Sequence, residues 1–275
     1  MWYDRRVGRH TLIATFWLIF TAAAAASAAG ADKPDPIGEA RALYNQRQYE
    51  AAIVAAETAR LQPERANAAD LIAARAHLER YRASAATEDL ASARLRLARL
   101  DPMRFPTRER VEFIVGLGET LYFEGSFGPA AEVFGSALEG AEVLGPDARE
   151  RVLDWWASAL DSQARSRTDA ERHAAYERIR DRMRGELSTR PTSGAAAYWL
   201  AAAARGRGEW LAAWDAAEAG WARAPLTADR GAKLRADLDQ LVTMAVVPER
   251  ARALRQSAES LRAEWEQFKD RWKGE

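Results

Sequence analysis

The sequence predicts an all-α protein, and three observations carry that expectation. Alanine-rich stretches dominate the chain, and β-branched residues are sparse. Ala, Leu, Arg and Glu, which recur throughout, are strong helix formers. No run alternates apolar and polar residues as a half-buried strand would.

The N-terminus comes first in order. Arg5, Arg6 and Arg9 stand against one Asp4, and the 21 residues from Thr11 to Ala31 carry no charge. Leu12, Ile13, Phe16, Trp17, Leu18, Ile19 and Phe20 form an apolar core, followed by small residues from Ala22 to Ala29. Basic, then apolar, then small is the order of a secretory signal, and Ala26-Ser27-Ala28 offers an A-x-A cleavage site. An uncleaved membrane anchor over residues 11–31 is the rival reading, since about 18 apolar residues suffice to span. On either reading the rest of the chain is exported, to a periplasm or cell envelope, or held at an inner membrane facing the periplasm. Residues 32–36, DKPDP, read as a linker because of the two prolines.

Helix pairs are expected from there on. Residues 40–63 place Ala40 and Leu43 on a first helix, Tyr49 at a turn, and Ala52, Ala56 and Ala59 on a second helix before Pro63. A second copy has Ala74-Arg75-Ala76-His77, echoing Ala40-Arg41-Ala42-Leu43, and then Ala91, Leu95 and Ala98 before Pro102. The third copy lies in VGLGETLYFEGSFGPAAEVFGSALEGA, residues 115–141. Its glycines do not make a dinucleotide fingerprint, because Gly116-x-Gly118 lacks the third glycine, and no Gly-Lys-Ser/Thr end makes it a P-loop. Instead Ile114, Leu117, Gly118 and Leu121 fall at helical spacing, followed by Phe127 and then Ala130, Phe134 and Ala137. FEGSFGP then reads as the turn between two helices. A fourth copy has Leu153, Trp156, Ala157 and Leu160, but its second helix, about 169–187, lacks the alanine pattern. The fifth has Ala201, Ala204, Trp210, Ala213, Ala217, Gly220 and Pro225.

This register resembles the tetratricopeptide repeat, with its W-x2-L-G-x2-Y, A-x3-F and P positions. The resemblance covers roughly residues 37–225. It implies a right-handed α-solenoid of about five antiparallel helix pairs, whose first helices line a concave groove that binds a partner.

Residues 226–275 follow as capping helices. One helix is expected near 228–244, broken at Val246-Val247-Pro248. Leu254, Ala258, Leu261, Trp265, Phe268 and Trp272 then mark a narrow apolar stripe on the last helix. A capping helix is the plain reading, since a repeat array needs an end with a wet outer face. A dimer or partner contact through residues 250–272 is the sharper one.

For function, the totals exclude more than they assign. With 40 basic and 40 acidic residues the chain has no global field to draw nucleic acid. Cysteine is absent, which removes disulfides and thiolate chemistry, and His10, His77 and His173 suggest no metal site. No nucleophile motif or cofactor fingerprint is visible, so neither an enzyme nor a cofactor is expected. Carboxylate pairs such as Glu109/Glu112 and Asp237/Asp239 read as ordinary helix surface. By the register of the resemblance, the groove candidates are Arg41, Tyr44, Glu119, Tyr122, Phe123, Asp154, Asp161, Tyr198 and Arg205. Tyr122 and Phe123 lead, because adjacent aromatics on a polar rim look like binding hot spots. The expectation is a non-catalytic scaffold that binds a protein or peptide. The alternative is an envelope module for glycan or another small ligand, using exposed indoles such as Trp155 or Trp199.

Overall fold

A computed structural model describes residues 35–273, and every described element is helical. The expected signal or anchor and most of the 32–36 linker lie outside these residues. The linker's end is corrected. The Asp35 carboxylate accepts hydrogen bonds from the N–H groups of Ile37 and Gly38, and Pro36 is the first residue of α1 (Pro36–Asn45). Proline is at home there because a first-turn N–H needs no partner.

The expected pairs appear as α2 (Tyr49–Arg60), α3 (Ala66–Ser84), α4 (Thr87–Leu97), α5 (Thr107–Phe123), α6 (Phe127–Gly140), α7 (Pro146–Ala164), α8 (Asp169–Thr189), α9 (Gly194–Gly206) and α10 (Trp210–Arg223). Each packs on the next where the pair is joined by a short turn, and α1, α3, α5, α7 and α9 also touch in series.

Three of the turns share one backbone pattern. The N–H groups of Arg47 and Gln48 donate to the carbonyls of Tyr44 and Leu43; Gly125 and Ser126 donate to Tyr122 and Leu121; Gly208 and Glu209 donate to Arg205 and Ala204. In each the first donor has positive φ, at 62° for Arg47, 78° for Gly125 and 76° for Gly208. Glycine adopts this conformation freely, whereas arginine does so at a cost. The aromatic residue that opens the next helix, Tyr49, Phe127 or Trp210, follows two residues later in each case.

The alanine register has a packing cause. Ala52, Ala56 and Ala59, Ala130 and Ala137, and Ala213 and Ala217 are all buried, because small side chains let neighbouring helices approach closely. Gly118 extends the logic: a methyl group there would lie 2.6 Å from the fully buried Phe134 ring. Gly118 therefore serves a close helix crossing.

One expectation on register is corrected, in α4, and the expected lack of an alanine pattern in α8 is seen. In α4 the residues taken as inward fail, since Leu95 is 57% exposed and Ala91 and Ala98 are exposed. The buried set is Ala93, Leu97 and Leu100, two residues further on at the same spacing. In α8, large side chains replace alanines: Tyr176, Ile179 and Met183 are buried, and the Tyr176 ring sits against the Cα of Gly206, where no side chain could fit.

The C-terminal region also departs from expectation. Pro248 does not break the chain's helical path. α11 (Ala232–Leu241) runs through a π-helical turn at Val242–Val246 into α12 (Val247–Leu254), with Pro248 in its first turn. The break comes at Arg255, which has φ 53°, and α13 (Ala258–Arg271) follows. Leu254 thus belongs to a different helix from the rest of the stripe. Leu261, Trp265 and Phe268 are buried within the chain, in one cluster with Trp214, Trp221, Leu234 and Leu238. Trp265 stacks on Phe268 at 5.7 Å and meets Trp221 edge-on at 5.5 Å, and its indole N–H donates to Asp239.

Candidate functional site

The face shared by α1, α3, α5, α7 and α9 carries the sequence-expected candidates, and it divides into two parts. At the N-terminal part, Arg75 of α3 lies over the Tyr44 ring, 4.6 Å from its centroid. Arg75 also pairs with Glu112 at 3.0 Å, and Arg108 pairs with the same carboxylate at 3.1 Å. Glu112 is only 5% exposed, so the expectation of an ordinary surface charge is corrected there. Glu109, about one helical turn before it on α5, holds Arg41 in an ion pair.

Glu119 lies further along α5. Burial pushes its carboxyl up to about 7, with repulsion from Glu79 adding and Arg75, Arg82 and Arg151 opposing. It makes no hydrogen bond or ion pair among the described residues. Tyr44 is raised to about 12, first by burial and then against the pull of Arg75. Glu79 pairs with Arg82. Arg151 of α7 is exposed and has no carboxylate within ion-pair reach among the described residues.

A cleft of about 310 Å³ opens here, lined by Tyr44 and Asn45 of α1, Arg75 of α3, Arg108 and Glu112 of α5, and the start of α7 from Asp147 to Arg151. Its opening is set by four helices that are distant in sequence.

At the C-terminal part the same face is closed by its own bonds. Asp154 accepts the indole N–H of Trp199 at 2.8 Å. Asp161 accepts the Tyr176 hydroxyl at 2.8 Å and pairs with Arg165 at 2.5 Å. Arg205 donates two bonds to Glu249 of α12, at 2.9 and 2.6 Å. Lys233 pairs with Asp237. Tyr198 is pushed up to about 12 by burial and by the carboxylates of Asp237, Asp161 and Asp154. A carboxylate oxygen of Glu150 accepts the N–H of Ala195, tying α7 to the first turn of α9.

Between the two parts lies an aromatic cluster. Tyr122 meets Trp155 edge-on at 4.8 Å and Phe127 at 5.2 Å, while Phe123 meets Tyr81 at 5.0 Å and Trp155 at 5.5 Å. Both leading candidates are half-buried and spend their rings on neighbours, so the picture of two free aromatics on a rim is corrected. The expectation of exposed indoles fails too. Trp199 is 7% exposed, and Trp155 stacks at 6.0 Å on Phe134.

The structure therefore brings Tyr44 and Glu119 together around residues that sequence reasoning did not select, Arg75, Glu112 and Arg151. It places Asp154, Asp161, Tyr198 and Arg205 in a separate, self-satisfied set. A signal for Arg75 existed in the echo of Arg41 by Ala74-Arg75-Ala76-His77. Arg151 could have been found three residues before Asp154, on the same helix face.

Among the described residues, no group of His, Asp and Glu is arranged to hold a metal ion, and no helix is long and apolar enough to cross a membrane. Compared with known proteins, the chain matches no protein-family model, no curated protein and no solved structure.

Proposed function

We propose that this chain is a non-catalytic, exported scaffold with a right-handed solenoid of tetratricopeptide-like helix pairs, which holds a segment of a protein partner on the face formed by its odd-numbered helices. One observation carries the reading. The cleft beside Tyr44, Arg75 and Arg151 is built by α1, α3, α5 and α7 together, so only a pre-formed row of these helices creates it. Rigid, pre-ordered surfaces bind extended segments without paying their own ordering entropy. The recurring turn geometry at Arg47, Gly125 and Gly208 supports the repeat reading, and the composition of residues 1–31 supports export.

The test is photo-crosslinking in the native envelope. A photoreactive residue at Asn45, exposed on the cleft rim, is expected to capture one discrete protein. The same residue at exposed Arg184 on α8 is expected to capture none. Equal capture at both positions, or none at Asn45, overturns the reading.

A further inference from the structure

We infer that the cleft between α1, α3, α5 and α7 takes an acidic side chain of the partner, an Asp or Glu within an acidic segment, on the guanidinium groups of Arg151, Arg75 and Arg108. This rests on the scaffold reading and names the chemistry of the segment it holds.

The charge count along the cleft wall is uneven. Arg75, Arg108 and Arg151 face Glu112 and Asp147. Glu112 is shared by Arg75 and Arg108, so one buried carboxylate serves two guanidiniums. A guanidinium has five N–H donors in a fixed fork, and a single shared carboxylate leaves donors on both unused. Arg151 makes no hydrogen bond or ion pair among the described residues, and the nearby Glu119 acts on it only at longer range. Glu119, the next carboxyl along α5, does not make up the difference. Burial and Glu79 keep it partly protonated at neutral pH, with Tyr44, Arg75, Arg82 and Arg151 as the other groups around it.

Geometry narrows the ligand further. The guanidinium fork matches a carboxylate in bidentate fashion. About 310 Å³ holds one or two side chains, well short of a folded domain. The Tyr44 ring backs Arg75 and holds its plane against the cleft wall, so less side-chain entropy is lost on binding. A cationic segment would meet the unpaired Arg151 at the mouth.

The contrast with the other end of the face supports the assignment. There, Arg205 and Arg165 each have a carboxylate of their own, Glu249 and Asp161. At the cleft, by contrast, Arg151 stands without an ion pair among the described residues.

The experiment is fluorescence anisotropy on the full chain in mild detergent. The probe is a fluorescein-labelled peptide of alternating Glu and Ser, beside a twin with Lys in place of Glu. The Glu peptide is expected to bind and the Lys peptide not to. Arg151→Glu is expected to weaken binding about tenfold, and Arg184→Glu, the same charge change on α8, by less than about twofold. Equal binding of the Lys peptide, or equal loss from both variants, overturns the proposal, because the effect would then be net charge alone. Inorganic phosphate at matched ionic strength is the third probe. Saturable phosphate binding that needs Arg151, without binding of the Glu peptide, makes the cleft a site for a free oxyanion and overturns the acidic-segment assignment. If Asn45 crosslinks a discrete protein while the Glu peptide is ignored, the scaffold reading stands and this inference falls.

Discussion

The two ends of the odd-helix face are built from similar residue types and use them in opposite ways. At the C-terminal end Asp154, Asp161, Arg205 and Lys233 each close on a partner within the chain, and Trp265 fills a cluster with three other aromatic rings. At the N-terminal end Glu119 and Arg151 have no hydrogen bond or ion pair among the described residues, and packing rests mostly on alanines. The difference teaches that a charged residue on this face is not by itself a site. What separates the ends is whether a neighbouring helix supplies the complementary group.

The comparison breaks most visibly at Trp265. Trp265→Ala is expected to cost about 3–5 kcal/mol, since it empties a fully buried ring site and strips Asp239 of its indole donor. Urea unfolding checks it; a loss under about 1 kcal/mol would mean the C-terminal end is not the stable one.

Glu119→Gln sharpens the other side. The folded chain holds the Glu119 proton more tightly than the unfolded chain does, because its pKa is raised to about 7. Stability therefore falls as pH rises from the ordinary glutamate range to about 7 and is level above that. The variant is expected to exceed the parent by about 1–2 kcal/mol at pH 8, with the gap closing toward pH 5. Thermal melts across that range decide it, and a gap that widens as pH falls refutes it.

The matched turns offer a smaller test. Arg47 occupies the left-handed position that Gly125 and Gly208 hold in the equivalent turns. Arg47→Gly is expected to stabilise the chain by about 0.5–1 kcal/mol in chemical unfolding, while Gly125→Arg should destabilise it. Smallest of all, Arg151→Ala should change stability by less than about 0.5 kcal/mol, because its exposed side chain makes no hydrogen bond or ion pair among the described residues. A larger loss would show that the open end is held by Arg151 after all.

Much of the helical order was legible in the sequence because its signals are local. A buried alanine with a turn aromatic three residues before it, and further buried residues four and seven positions after it, repeats at Ala52, Ala130 and Ala213. In α4 the signal was ambiguous for a physical reason. Ala91, Leu95 and Ala98 have the same spacing as Ala93, Leu97 and Leu100, and only packing against Leu71 and Leu78 selects the second set. Pro248 misled because a proline stops a helix from inside but starts one from its first turn. The candidate site was half legible. Tyr44 and Glu119 follow from register, but the sharing of Glu112 by Arg75 and Arg108 joins residues up to 37 apart in sequence. Whether Trp155 and Trp199 face outward also depends on neighbours, Phe134 and Asp154, that no periodicity reveals.

The unequal cores have a consequence for how the chain breathes. α1 and α2 are held to α3 chiefly by Ala40, Ala52, Ala56, Ala59, Ala69, Ala73 and Ala76, with Ile53 and Ile72 as the larger members. Each alanine removes little apolar area from water, so local opening of this pair exposes little and costs little. Amide hydrogens of α1 and α2 should therefore exchange with solvent first, and those around Trp265 last. Opening would begin beside the cleft that Tyr44 and Asn45 help to form, so a segment bound there would slow the exchange of the whole first pair.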